Sequence, residues 1–552
     1  MRQSDSLRIK IVFVCVVMAA SLVTWRLFVL SYVRHTLYSK TAQAQNENIG
    51  NVLIRGNILI QDPKASAVAG DQRYAVATDK NFPLLYVIPA NVTEPTLVAE
   101  KLSKILPLEQ ASLETTLKSG SAGTKILARK LTTEHVDAIN QLGIKGLGIR
   151  YEKSRFYPSD SLLSKVIGFF GYSSEGQAGQ YGVEAYFEKE LNGTGGNNSS
   201  PRPSNIVLTV DRNVQTFVEA KLHELILRWQ AESASIIIQD PQTGKIIAMA
   251  DEPTFNPNNY SSSPTSSYIN KSVQDMFEPG SSFKPVTMAM GLDLGKITPN
   301  TTYTDPGVIE IAGRQIHNFD NLAHGTVTMT KVLEQSLNTG VAFVENLIGQ
   351  EKFLDYVINF GFGQKTGIDL PGEVSGNVAN LYSGRQVNFV TASFGQGVAV
   401  TPLQLITAYS AIANGGKLMR PYIVDRIIRE GGEEVVTQPE VVSIPITQKT
   451  SEKLRSMLVS VVDNGFDKAR IKGYDIAGKT GTAQIADGKG GYQEGVFIHN
   501  FLGFAPASNP KFVVMIKMDK PKGITFAADS LSPTFREVAQ YLINYYNVPP
   551  TR

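Results

Sequence analysis

From Ile9 to Leu30 the chain reads IKIVFVCVVMAASLVTWRLFVL, apolar except for Lys10 near one end and Arg26 near the other. A bilayer core takes about 20 such residues in a helix. Lys and Arg near the ends of such a helix can snorkel to the interface, and Trp25 stands where an interfacial aromatic belongs. The run predicts a retained transmembrane anchor over 9–31 behind a cytoplasmic tail, 1–8. The competing reading, a cleaved signal peptide, would need the A-x-A site at Ala42–Ala44, which lies well beyond a run already longer than a signal core. Arg2, Arg8 and Lys10 precede the run while Arg26, Arg34 and Lys40 follow it, so charge alone leaves its orientation open. No second run of spanning length follows, which puts everything after Ser31 on one side.

Residues 32–50 are polar and helix-compatible, a stalk. A mixed region without a catalytic cluster occupies 51–196. NGTGGNNSSPRP then forms a Gly-, Asn-, Ser- and Pro-rich break, giving a linker at 197–205 and a second domain at 206–552. There the periodicity sharpens. Asp211 can cap a helix whose apolar positions Val214, Phe217, Val218, Leu222, Leu225 and Trp229 recur at three- and four-residue steps. SASIIIQD and KIIAMA flank Pro241–Gly244 as a β-hairpin. His499–Ala505 and Phe512–Met518 read as further strands, and a closing helix from about Pro533 puts Phe535, Val538, Ala539, Leu542 and Ile543 on one face. Helices bracketing a late run of neighbouring strands predict an α+β fold with a largely antiparallel sheet. The segment 486–495, ADGKGGYQEG, reads as an exposed loop.

Composition removes several alternatives. A net charge of +3 over 552 residues with no long basic run argues against nucleic acid as a partner. A single cysteine, Cys15, excludes an internal disulfide and a cysteine zinc cluster. No histidine pair has ligand spacing, so neither a metal nor a cofactor is expected.

The chemistry lies in three short patterns, each with a decoy. Ser-x-x-Lys occurs at Ser281–Lys284 and at Ser508–Lys511; a three-residue helical step brings serine and base to one side. Pro279-Gly280 can present Ser281 at a helix N-terminus, where free N–H groups favour an oxyanion, whereas Pro510 interrupts the second copy. Ser-x-Asn occurs at Ser336–Asn338, between the helical stretches MTKVLEQ and TGVAFVENL, and at Ser375–Asn377 in a Gly/Pro-punctuated loop. Lys-Thr-Gly occurs at Lys479–Gly481, where Gly478 and Gly481 would let a substrate backbone approach a strand, and at Lys365–Gly367 in a glycine-rich connection. In the order SxxK, SxN, KTG the three together point to serine acyl transfer.

FEPGSSFKP, QSLNTG and AGKTGTAQ resemble the active-site motifs of penicillin-binding proteins and serine β-lactamases. With PTFNPNNY, SFGQGVAVTPLQL and AIANGGKLMRPYIV added, the match resembles class B penicillin-binding proteins, closest to the septal, cell-division type. Arg55-Gly56-Asn57-Ile58 is similar to that family's RGxI pedestal motif, and YGVEAYFEKELNG to its G-L-E segment. RGNILIQDPKASA departs from the D-R-N-G that usually follows RGxI. Arg55 and Glu184 read as a structural ion pair or as turn residues, not as a second site.

The resemblance implies a penicillin-binding transpeptidase domain over 206–552 and a pedestal, or dimerisation-like, domain over 51–196. It implies a plasma-membrane protein, single-pass, with its catalytic domain periplasmic or extracellular. Ser281 would attack the penultimate D-alanine carbonyl of a peptidoglycan stem peptide, and β-lactams would acylate it. Lys284 would be the base, with its pKa depressed by burial and by Lys479. Ser336 would relay a proton, and Asn338 would orient Lys284 and the substrate amide. Lys479, Thr480, Gly481 and Thr482 would form the substrate and β-lactam strand, the lysine and the two threonines holding the terminal carboxylate. The N–H groups of Ser281 and Thr482 would bind the oxyanion. A SEDS-type glycosyltransferase and other division proteins are the implied partners. An elongation-type transpeptidase, a membrane-bound β-lactam sensor and a scaffold are the alternatives.

Overall fold

The computed structural model describes residues 16–18, 20–26, 55–63, 73–173, 176–193, 202–486 and 491–552. The predicted anchor, 9–31, therefore lies mostly outside the described residues, as do the stalk and much of the linker. Residues 16–18 and 20–26 are helical and exposed. Among the described residues no helix is long and apolar enough to cross a membrane.

The chain divides into two compact units, one of residues 1–54 and 81–154, the other of 55–80 and 155–552. Compactness thus does not divide at 196–205, where the composition changes. Residues 55–80 and 155–196 belong to the larger unit, and pairing explains why. The strand Ile58–Gln61 runs parallel to Asn205–Asp211, with Ile58 opposite Ile206, and antiparallel to the start of Arg73–Val87. Gly56 donates from its backbone to Leu191, and a Cβ there would collide with the Ser204 carbonyl at 1.8 Å.

The smaller unit packs the helices Pro95–Ile105, Gln110–Leu117 and Thr133–Gln141 around a core of its own. Leu85, Val87, Leu102, Leu113, Leu117 and Ile139 are buried in it. Thr132 caps the last of these helices by accepting from the backbone N–H of His135 at 3.2 Å.

In the larger unit, α1 (Arg212–Trp229) starts where Asp211 accepts the backbone N–H groups of Asn213 and Val214. The hairpin β1 (Ser233–Gln239) and β2 (Ile246–Glu252) follows. After it come α2 (Lys284–Asp293), α3 (Met329–Glu334), α4 (Asn338–Ile348) and α5 (Pro402–Ala413). The chain closes with β3 (Ala477–Ala486), β4 (Tyr492–Ala505), β5 (Phe512–Asp519) and α6 (Ser532–Tyr545). The five strands form one antiparallel sheet in the order β3-β4-β5-β1-β2, which leaves β3 at its edge. Every residue of β5 is buried, so both faces of the sheet are covered. α1 and α6 pack together through Phe217 stacked on Tyr541 at 3.9 Å. α5 is buried at every position, and its polar side chains Gln404, Thr407, Tyr409 and Ser410 are all hydrogen-bonded. The segment expected as a loop at 486–495 is already strand from Tyr492.

Candidate active site

The chain enters the site through Pro279 and Gly280. Gly280 has φ +60°, and a Cβ on it would stand 3.0 Å from the Thr482 carbonyl, so only glycine fits the turn. Its N–H donates to the Gly395 carbonyl. Residues Gly280–Phe283 form a 3₁₀ turn, in which the Lys284 N–H donates to the Ser281 carbonyl. Side chains three apart eclipse on a 3₁₀ turn, which aligns Ser281 with Lys284 more closely than the α-helical step expected from the sequence. Ser281 is half-buried, whereas Lys284 is fully buried. Pro285 lies in the first turn of α2, where its missing N–H costs nothing.

Ser336 reaches the same place by a different device. After α3 its N–H donates to Leu333 and the N–H of Leu337 to Val332, the pair of bonds that ends a helix on a left-handed residue. That residue usually is glycine; here Ser336 holds it at φ 55°, at a cost of about 1–3 kcal/mol. The buried pair Leu337 and Val332 supplies the apolar contact of this cap. The turn aims both oxygens of Ser336 at Lys284. Lys284 Nζ donates to the Ser336 carbonyl at 2.5 Å and to its hydroxyl at 3.2 Å. Asn338, the first residue of α4, instead gives its amide N–H to the His317 carbonyl at 2.8 Å. The steadying of Lys284 expected from Asn338 is done by Ser336.

On the edge strand β3, Lys479, Gly481 and Ala483 are buried while Thr480 and Thr482 are half-buried, the alternation of a pleat. Lys479 Nζ donates to the Thr480 carbonyl at 3.2 Å and lies 5.8 Å from the centre of the Phe466 ring. A Cβ on Gly481 would meet the Asn500 amide at 2.5 Å and the Pro279 carbonyl at 2.6 Å. A Cβ on Gly478 would meet Leu502 and the Phe501 ring at 3.0 Å. These glycines admit the protein's own neighbours, not the substrate backbone expected there.

Burial and then the Lys479 charge push the Lys284 ammonium well below the ordinary lysine range. Burial alone brings Lys479 down to about 7. Neither lysine forms an ion pair among the described residues. A buried lysine whose hold on its proton is weakened by burial and by a second lysine, on the same turn as a half-buried serine, is equipped to accept a serine proton.

The decoys fall elsewhere. Ser508 is exposed between β4 and β5, Lys365 is exposed, and Asn377 bridges to Ala399 in a loop. Sequence reasoning missed three supports. Asn500 donates to the Pro279 carbonyl at 3.0 Å. Glu278 accepts from Gly397 N–H and from the Tyr492 hydroxyl, both at 3.0 Å. Gly395 presses on Gly280 so closely that a Cβ would lie 2.3 Å from its carbonyl. The one signal was His499-Asn500, a polar pair inside the apolar strand GVFIHNFLGFA. Among the described residues no group of side chains could hold a metal ion.

Comparison with known proteins gives a consistent picture. The family model of the penicillin-binding protein transpeptidase domain matches residues 234–540, and that of the penicillin-binding protein dimerisation domain matches 55–205. The chain is 32% identical over 519 residues to the stage V sporulation protein D of Bacillus subtilis, covering 89% of this chain and 80% of that protein. It is 31% identical over 465 residues to the peptidoglycan D,D-transpeptidase FtsI of Escherichia coli, covering 81% and 76%. The crystal structure of penicillin-binding protein 3 of Mycobacterium tuberculosis complexed with aztreonam superposes with a TM-score of 0.67 at 31% identity, over 73% of this chain and 92% of that one.

Proposed function

The chain belongs to the class B penicillin-binding proteins, which join a dimerisation domain to a transpeptidase domain, and on that premise we propose that Ser281 carries peptidoglycan D,D-transpeptidation. Ser281 Oγ attacks the carbonyl carbon of the penultimate D-alanine, and its proton passes to neutral Lys284 Nζ. The tetrahedral oxyanion sits between the N–H groups of Ser281 and Thr482. As the C–N bond breaks, the proton moves from Lys284 through the Ser336 hydroxyl to the departing D-alanine amine. The ester left on Ser281 is then attacked by an amine from a neighbouring strand, which gives up a proton to Lys284; as the ester C–O bond breaks and the cross-link forms, Lys284 passes that proton to the departing Ser281 Oγ and both groups regain their starting state. In a β-lactam the amine stays tethered after ring opening, so the ester persists. Lys479, Thr480 and Thr482 hold the terminal carboxylate.

The observation that carries this assignment is the buried Lys284, whose Nζ is held, among the described residues, by the two Ser336 oxygens and faces a second buried lysine. A labelled penicillin, followed by peptide mass mapping, tests it. Label on Ser281 that disappears in Ser281→Ala is expected; label on Ser508, or label surviving that substitution, contradicts it.

The apolar run over 9–31 and the class B resemblance support a finer proposal. One helix anchors the chain in the plasma membrane, the catalytic unit works outside it in septal wall synthesis, and a SEDS-type glycosyltransferase supplies the glycan strands. An exported form lacking residues 1–200 should still take up penicillin yet fail to replace the full chain in division. Full complementation by that form would remove the partner from the proposal.

A further inference from the structure

Thr482 stands half-buried at the cleft, and its neighbours decide how its hydroxyl can act. The backbone N–H of Ala527 donates to Thr482 Oγ1 at 3.1 Å. A hydroxyl has a single proton to give. With an N–H already on one lone pair, that proton is directed away from Ala527.

Ala527 begins the short helix Ala527–Ser530, after the loop that follows β5. This stretch is gripped from beneath by His499, which lies opposite Thr482 in the β3–β4 register and is wholly buried. Directly opposed residues of an antiparallel pair share a face. His499 Nε2 meets the Thr525 carbonyl at 3.0 Å. A carbonyl only accepts, so Nε2 carries the proton. Nδ1 is then an acceptor, and it takes the Ser530 hydroxyl at 2.8 Å. Burial pushes this imidazole down to about 4, which keeps the neutral form that both bonds require. One ring therefore holds the chain on either side of Ala527.

We propose that His499 is a positioning residue for recognition of the substrate's terminal carboxylate. By clamping Thr525 and Ser530 it keeps the Ala527 N–H on Thr482 Oγ1, and so commits the Thr482 hydroxyl to donate toward the carboxylate. The proposal rests on the transpeptidase assignment above. It adds a requirement that the motifs do not contain: a residue behind the substrate strand sets the polarity of a group in front of it. A histidine that merely fills space would affect every ligand alike, whereas one that acts through Thr482 affects only ligands with a carboxylate.

Second-order acylation rate constants of the full chain with benzylpenicillin and with its methyl ester separate the two. Thr482→Val should lower the acid's rate about 10- to 100-fold more than the ester's, the range of a hydrogen bond to a charged group, so that the acid-to-ester ratio falls by that factor. His499→Ala should reduce the acid-to-ester ratio in the same direction. His499→Gln, which can still donate to Thr525, should restore part of it. In the double variant the ratio should fall no further than in Thr482→Val alone, because the two act in series. Should His499→Ala prove unstable, Ser530→Ala removes one end of the clamp and should lower the ratio too. A ratio left at the wild-type value in the His499 and Ser530 variants, or two effects that multiply, overturns the proposal. A wild-type chain that takes no label on Ser281 overturns the transpeptidase assignment with it, while labelling with an unchanged ratio sinks the clamp alone.

Discussion

Around Glu184 the larger unit buries two arginines among three carboxylates; around Lys284 it buries two lysines that meet no carboxylate among the described residues. In the first cluster Arg55 Nε and Arg155 Nε each reach Glu184 at 2.7 Å, Arg55 also meets Glu188 at 2.7 Å, and Arg155 meets Asp79 at 3.2 Å. The Tyr157 hydroxyl adds a bond to Glu184 at 3.2 Å. Burial would raise the Glu184 carboxyl, but Arg155 and Arg55 outweigh it and hold it below the usual range. In the second cluster burial and like charge act in the same direction, and the lysines lose affinity for their protons. Compensated charge joins the Arg55 segment and the Arg155–Tyr157 segment to the helix carrying Glu184. Uncompensated charge destabilises its surroundings and leaves amines that release a proton more readily, as the proposed base requires. The same burial thus serves architecture in one place and chemistry in the other.

The largest effect expected from this contrast falls on Lys284→Arg. Guanidinium keeps its proton at any working pH, so the second-order rate of penicillin acylation should drop by about 10² to 10⁴-fold or more, with the fold intact. Retention of wild-type acylation would mean that Lys284 is not the base. Glu184→Gln should do the reverse. Taking the shared carboxylate from two buried guanidinium groups, which keep Glu188 and Asp79, should cost about 1.5–3 kcal/mol, read as a lower denaturation midpoint, while folded molecules acylate near the wild-type rate. A parallel loss of acylation would show that the two clusters are not separable.

Lys479→Met sharpens the contrast by sign. Removing an unpaired buried cation should stabilise the fold by about 0.5–2 kcal/mol at pH 7 and abolish carboxylate holding. Lys479→Arg should keep measurable acylation, because guanidinium still pairs with a carboxylate. Lys479 titrates at about 7 when folded against about 10.4 for an ordinary lysine. Between those values the unfolded chain binds the extra proton, so wild-type stability should rise with pH through that window, and the Met variant's advantage should shrink. Glu184 is also held below its ordinary value, so its pH slope has the same direction in a lower window: its contribution is present above the ordinary carboxylate range and lost on acidification. Thermal unfolding at pH 5, 7 and 9 checks both. The smallest effect is at Ser336→Gly, which should relieve the left-handed backbone by about 1 kcal/mol. Ser336→Ala should not. Both keep the carbonyl bond to Lys284 and lose the hydroxyl relay.

Much of this was legible in the chain. The Asp211 cap, the hairpin around Pro241–Gly244 and the apolar face of α6 are local, and each element formed where its pattern put it. The SxxK, SxN and KTG triplets announce themselves because their spacing reflects the turns that carry them. What stayed hidden is non-local. Nothing in RGNI says that Ile58–Gln61 will pair beside Asn205–Asp211, since that pairing links positions far apart in sequence. Ser336 reads as a helix-junction polar residue until the left-handed turn brings its carbonyl to Lys284. Gly481 reads as an opening for substrate until the fold places Asn500 and Pro279 against it.

The pH dependence of wild-type acylation tests the central claim most directly, with second-order rate constants for one penicillin measured by rapid mixing from pH 5 to 10.5. A base that is neutral for part of the cycle gives a rising limb whose midpoint lies well below the ordinary lysine value of about 10.4, and Lys284→Arg should lose that limb. A rising limb that begins only near the ordinary lysine pKa, or one that survives in Lys284→Arg, would contradict the account.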